Sequence, residues 1–110
     1  MSVEQTIARL LEKVNANPQG IAGFTAVYHF IVSGNDGGAF QVTFANERAT
    51  YVKGTPDTAG CTIELSDENF HKLVDGKLHP ATAFMLGKMK LKGDMNLALK
   101  LQSIFKTYQS

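Results

Sequence analysis

Apolar residues recur along this chain with two periods, and each change of period marks an element. Ile7, Leu10, Leu11 and Val14 stand at helical spacing behind Ser2-Val-Glu-Gln5, a capping-box start. They predict a helix of about four turns with one apolar stripe, ended by Asn17-Pro18 and Gly20. From Phe24 to Val32 the period falls to two. One face carries Phe24, Ala26, Tyr28, Phe30 and Val32; the other carries Thr25, Val27, His29 and Ile31. Both faces are largely apolar, which predicts a strand buried on both sides or placed centrally. The breakers of Ser33–Gly38 turn it into a hairpin with Ala39–Ala45, where Phe40, Val42 and Phe44 oppose Gln41 and Thr43. A turn at 46–48, a short strand at 50–53 and a cleanly alternating strand at 61–65 follow.

The C-terminal part returns to helical spacing. Ser66 caps a helix whose first turn holds Asp67 and Glu68 and whose apolar side is Phe70, Leu73 and Val74. Gly76 stops it. Pro80 opens a short helix to Leu86, expected to turn Phe84 and Met85 inward. Lys88, Lys90 and Lys92 then alternate with Met89 and Leu91, a fifth strand with one apolar and one basic face. Gly93-Asp94 feeds a last helix. The order of elements predicts a single α+β domain over 1–110, a five-stranded, mostly antiparallel sheet with helices packed on one face.

The last helix is apolar around too much of its circumference. Met95, Leu97, Ala98, Leu99, Leu101, Ile104, Phe105 and Tyr108 span about 220° at 100° per residue. A helix lying on one core needs a stripe of about 100° or slightly more. The surplus faces a second layer, a partner chain, a membrane or an internal cavity. Gln102 falls inside the apolar arc, where an unpaired amide costs about 1–3 kcal/mol. A neighbouring backbone group would satisfy it in a plain core; a lipid-sized cavity would use it as a polar contact. The surrounding Phe70, Phe84, Met85, Met89, Met95 and Phe105 are soft side chains that adapt to varied apolar partners.

Charge sharpens this picture. Residues 1–70 hold four Lys/Arg against eight Asp/Glu; residues 71–110 hold seven Lys against two Asp. The basic end is also the amphipathic end, which suits an anionic lipid surface or ligand. Other chemistries find no support. The three histidines are scattered, Cys61 is the one cysteine, and no phosphate loop, dinucleotide fingerprint or Gly-x-Ser-x-Gly elbow is present. Neither a metal site nor a cofactor is expected. Basic residues do not interleave with strand aromatics, against nucleic-acid binding. No apolar run approaches the length of a membrane span, and the start lacks the pattern of a secretory signal.

The stretches Cys61-Thr-Ile to Asp67, Gly76-Lys77, Pro80, Ala83-Phe84, Gly87-Lys88 and above all Gly93-Asp-Met-Asn-Leu-Ala-Leu-Lys-Leu-Gln102 resemble the sterol carrier protein type 2 family. The likeness extends more loosely over the whole chain. It implies a hydrophobic tunnel between sheet and helices that takes fatty acids, fatty acyl-CoA, sterols and phospholipids. Gln102 matches a glutamine facing that tunnel, and Phe30 an aromatic strand position, often tryptophan, that lines it. This chain has no tryptophan. The expectation is a non-enzymatic, monomeric lipid carrier closed by its C-terminal helix, which opens as a gate because a terminal helix has few flanking contacts. The alternative is an accessory domain presenting lipid to an enzyme. The candidate ligand-binding residues are Phe30, Val42, Phe70, Leu73, Phe84, Met85, Met89, Met95, Leu99, Leu101, Gln102 and Phe105. Lys88, Lys90 and Lys92 are candidates for transient contact with an anionic membrane. A cytoplasmic location is expected, or a peroxisomal one if the domain belongs to a longer or partner-imported chain.

Overall fold

A computed structural model describes residues 1–109. Helix α1 (Val3–Ala16) begins on the capping box read in the sequence. Ser2 Oγ accepts from the Gln5 amide at 3.1 Å, and the Ser2 amide donates to Gln5 Oε1 at 2.9 Å. A 3-10 turn at Pro18–Ile21 follows. The strands are β1 (Ala26–Ser33), β2 (Gly38–Ala45), β3 (Arg48–Lys53) and β4 (Cys61–Ser66). Next come α2 (Asp67–Val74), α3 (Pro80–Met85), β5 (Met89–Gly93) and α4 (Met95–Thr107).

The strands form one sheet in the order β3-β2-β1-β4-β5. β1 and β4 are parallel and the other pairs antiparallel. Tyr28 lies opposite Val42 and Cys61, and Phe30 opposite Phe40 and Ile63. This register stacks the apolar side chains of neighbouring strands on one face, which the helices cover. The core is centred there on Tyr28, Phe44, Phe70, Ile7, Ile63 and Leu101, all nearly inaccessible. Burying such side chains is the main favourable term in folding, at about 25 cal/mol per Å² of apolar surface.

The expected central position of β1 holds; double burial does not. On its outer face Val27 and His29 are half-buried and Ile31 is exposed, because no second layer covers that side. Phe24 precedes the strand and packs against Tyr28 and Phe44, with ring centres 6.4 and 5.5 Å away. The β2–β3 turn is tighter than the sequence suggests. Asn46 and Glu47 alone form it, with φ of 53° and 58°, as a two-residue turn of the I′ kind requires. Arg48 therefore joins the strand.

Residues 54–60 carry the chain from the sheet edge to β4 and cross the outer face. There Asp57 and Gln41 exchange two hydrogen bonds of 2.9 and 2.8 Å, and the Gly60 amide donates to Val27 O at 3.0 Å. Gln41, read as an outward polar residue, is thus buried, with His29 Nε2 3.1 Å from its Oε1. No helix among the described residues is long and apolar enough to cross a membrane.

Candidate functional site

Helix α4 starts on Asp94, whose Oδ1 accepts from the Asn96 amide at 2.8 Å. The preceding Gly93 has φ of 102°, a conformation open to glycine at little cost. Ala98, Leu101, Ile104 and Phe105 form its buried arc. Both ends are pinned. Tyr28 donates its hydroxyl proton to Leu97 O at 2.7 Å. Tyr108, just past the helix, donates to Asn17 O and accepts from the Gly20 amide. Burial pushes the Tyr28 hydroxyl well above the usual phenol range, so it remains a donor.

The surplus apolar surface of α4 lies on one flank. Gln102 borders the buried arc, and Met95 and Leu99 follow it around the helix. Leu99 is 50% exposed against 2% for Leu101. Helix α3 packs against α4 and β5. Phe84 and Met85, expected inside, are exposed, Met85 at 84%, and Leu86 beyond them is exposed too. Only Ala83 and Pro80 of this six-residue helix are buried. Its few contacts leave no room to bury a second face.

Where α4 meets the connection between α2 and α3, a cleft of about 230 Å³ opens. Its walls include Leu73, Leu78, Pro80, Phe105, Gln102 and Lys106. Gln102 Oε1 is buried and has no hydrogen-bond partner among the described residues. That is an uncompensated acceptor beside a cleft of mixed lining, and such an atom costs about 1–3 kcal/mol until something donates to it.

Of the twelve candidate ligand-binding residues, the cleft brings together Leu73, Gln102 and Phe105. Phe30, Val42, Phe70, Met89 and Leu101 lie behind it in the core, with the Phe30 and Phe70 rings edge to face at 5.5 Å. Phe84, Met85, Met95 and Leu99 form the exposed group outside. Leu78, in the connection, and Pro80, read in the sequence only as the start of α3, were not among the candidates, because nothing in so short a stretch signals that it closes a cleft. Lys90 and Lys92 face outward from β5, but Lys92 Nζ sits 3.4 Å from Glu64 Oε2 and Lys88 precedes the strand. The basic face is therefore partly neutralised.

Cys61, the first residue of β4, is buried between Tyr28 of β1 and Gly93 of β5, and burial, then the Asp94 carboxylate, pushes its thiol up to about 11. A thiol held protonated is a poor nucleophile. Among the described residues no group of three His, Cys, Asp or Glu is placed to hold a metal ion.

Comparison with known proteins bears on this arrangement. The chain is 36% identical over 91 residues to hydroxysteroid dehydrogenase-like protein 2 of Xenopus laevis, covering 82% of this chain and 22% of that protein. It thus spans about a fifth of the length of the curated relatives it matches. The solution structure of palmitated SCP2L2 from Aedes aegypti superposes with a TM-score of 0.76 at 26% identity, covering 100% of this chain and 99% of that one. The fold also occurs in the sec-alkyl sulfatase PisA1 from Pseudomonas sp., with a TM-score of 0.82 at 20% identity over 100% of this chain and 17% of the sulfatase. The SCP-2 sterol transfer family profile matches residues 7–106, nearly the whole chain. The protein belongs to the SCP-2 sterol transfer family.

Proposed function

We propose that this protein binds and carries lipids without catalysis, taking fatty acids, fatty acyl-CoA, sterols or phospholipids by their apolar portions between α4 and the α2–α3 connection. The observation that carries this reading is Gln102 Oε1, a buried acceptor without a partner among the described residues, at the edge of a cleft whose apolar walls are Leu73, Leu78, Pro80 and Phe105. A ligand hydroxyl or protonated carboxyl would satisfy it. The family match supports the reading, as does a palmitated relative of the same fold.

The cleft is smaller than the roughly 300–1,000 Å³ of ordinary small-molecule pockets. A long chain must therefore part α3 from α4. Helix α3 is the movable wall, being short and half exposed, while α4 is pinned at both ends. The same edge presents Phe84, Met85, Leu86 and Leu99, with Lys88 beside them, as the surface that meets an anionic membrane during transfer.

The relatives' lengths favour one second reading: as a module within larger proteins, the domain presents lipid to an attached or partner enzyme. Native mass spectrometry of freshly purified protein should show retained lipid, and palmitate should displace a fluorescent fatty acid saturably without turnover. Absence of both retention and displacement would remove the carrier function.

A further inference from the structure

The sheet has two edges, and they end differently. Helix α1 packs along β3, and there Asn15 takes up the outward backbone of Ala49. Its Oδ1 accepts from the Ala49 amide and its Nδ2 donates to the Ala49 carbonyl, both at 2.8 Å. A side-chain amide bonded in this way holds the place of a neighbouring strand. The opposite edge has no such plug. Among the described residues β5 pairs with β4 alone, and nothing else bonds the backbone of 89–93. Every second N–H and C=O of an edge strand points away from its partner, so β5 presents an open row of donors and acceptors.

We propose that the β5 edge is a docking site for an extended segment of a partner protein that alternates acidic with apolar side chains and joins the sheet as an added strand. The proposal stands whether or not the cleft holds lipid.

The two faces of β5 dictate that alternation. Met89 is buried and Leu91 half-buried against the core, whereas Lys90 and Lys92 are exposed on the outer face. Lys92 reaches Glu64 at 3.4 Å, and Glu64 is the one carboxylate that β4 sets beside this row. Lys90 belongs to none of the ion pairs among the described residues. The edge therefore keeps a net positive outer face. On the inner side α3 packs against β5 and leaves Phe84 exposed. Successive side chains of an added strand point to opposite faces. Those on the outer face would lie beside Lys90 and Lys92, where opposite charges across strands stabilise and like charges destabilise. Those on the inner face would extend the apolar layer past Leu91 towards Phe84.

The same charges exclude a second copy of this strand. Two β5 strands that both turned their apolar residues inward would set lysine opposite lysine. An anionic membrane offers charge to the lysines but no row of amides to match the strand. An extended acidic segment offers both, with main-chain bonds supplying affinity and alternate side chains supplying selectivity.

The test titrates a synthetic peptide alternating glutamate with valine into isotope-labelled protein, followed by amide NMR. The amides of 89–93 should shift and exchange more slowly with solvent, while those of β3 stay unchanged. A peptide of the same composition with its glutamates in one block should bind several-fold more weakly. Added salt should weaken the alternating peptide, because exposed charges are screened. The alternating peptide methylated on its backbone nitrogens keeps its charges, loses its donors and should not bind. In Lys90→Gln/Lys92→Gln, with melting unchanged, binding should fall several-fold. Lys90→Glu/Lys92→Glu should instead prefer a peptide alternating lysine with valine, a gain that no folding defect imitates. Unshifted β5 amides, equal binding of the methylated peptide, or full binding by the glutamine variant overturns the docking site. Vesicles containing phosphatidylserine form the last arm. If they bind through these lysines and the peptide does not, the row serves a membrane surface and the docking site falls.

Discussion

Helices α1 and α4 cover the same side of one sheet and are built on opposite terms. In α1, Val3, Ile7, Leu11 and Val14 are buried, and the polar positions that reach the sheet are matched. Asn15 donates to Ala49 O and accepts from the Ala49 amide, both at 2.8 Å. Glu4 accepts from the Tyr51 hydroxyl at 3.0 Å and pairs with Lys53 at 3.1 Å, and these two partners, Lys53 first, hold its carboxyl below the usual range. In α4, Met95 and Leu99 remain at the surface and Gln102 Oε1 has no partner among the described residues. A helix whose sheet-facing polar groups are matched serves the fold on that side. One that carries exposed apolar side chains and an unmet acceptor along a single flank, yet is pinned at both ends, is suited to receive something on that flank.

The largest expected effect tests the pinning. The sequence suggested a loosely held terminal helix, whose last residues could be removed to open the site. The structure contradicts this, because Ile104, Phe105 and Tyr108 are all buried and Tyr108 bonds to Asn17 and Gly20. Losing large buried side chains costs roughly 2–5 kcal/mol each, against a total stability of about 5–15 kcal/mol for ordinary domains. Deleting residues 103–110 should therefore unfold the protein, seen as loss of far-UV circular dichroism and of a cooperative melt. A truncated chain that still melts sharply would mean that α4 is a flap after all.

A smaller effect separates the two flanks of α4 itself. Leu101→Ala should destabilise by roughly 2–5 kcal/mol in urea unfolding, as a cavity in the core does. Leu99→Ala, two residues away and half exposed, should stay within about 0.5 kcal/mol. Equal losses at both positions would mean that the Leu99 flank is packed in solution, by a second copy or by a rearranged α3.

These contrasts were only partly legible in the sequence. The capping box, the individual strands and the surplus of α4 follow from spacing alone, since each is set by neighbours within a few residues, whereas the parallel pairing of β1 with β4 joins residues more than thirty positions apart. Gln41 could not be placed, because its burial depends on Asp57 crossing over from another part of the chain. Phe84 and Met85 were turned the wrong way because six residues give barely two turns, too short for periodicity to choose a side. The cleft was half visible. Gln102 and Phe105 stood out on the helical arc, whereas Leu78 in the connection and Pro80 at the start of α3 take their role only once α4 lies against them.

The finest test concerns Gln102. In a helix like α1, a buried amide is matched, and replacing it with leucine would strand a partner and cost about 1–3 kcal/mol. Gln102 Oε1 has no partner to strand. Gln102→Leu also removes a desolvated acceptor from beside the apolar side chains of Leu73, Leu78, Pro80 and Phe105. Its melting temperature should equal or slightly exceed that of the parent. Ligand preference should shift by contrast, because an acceptor in the cleft discriminates between a lipid that can donate a hydrogen bond there and one that cannot. A sterol with a free hydroxyl should lose affinity relative to its methyl ether, several-fold in a displacement assay. Gln102→Glu supplies the opposite sign, since a carboxylate in that place repels a fatty-acid carboxylate and leaves the sterol little affected. If Gln102→Leu melts well below the parent and the sterol pair stays unseparated, Gln102 is a structural anchor like Asn15, and the two helices differ in composition without differing in role.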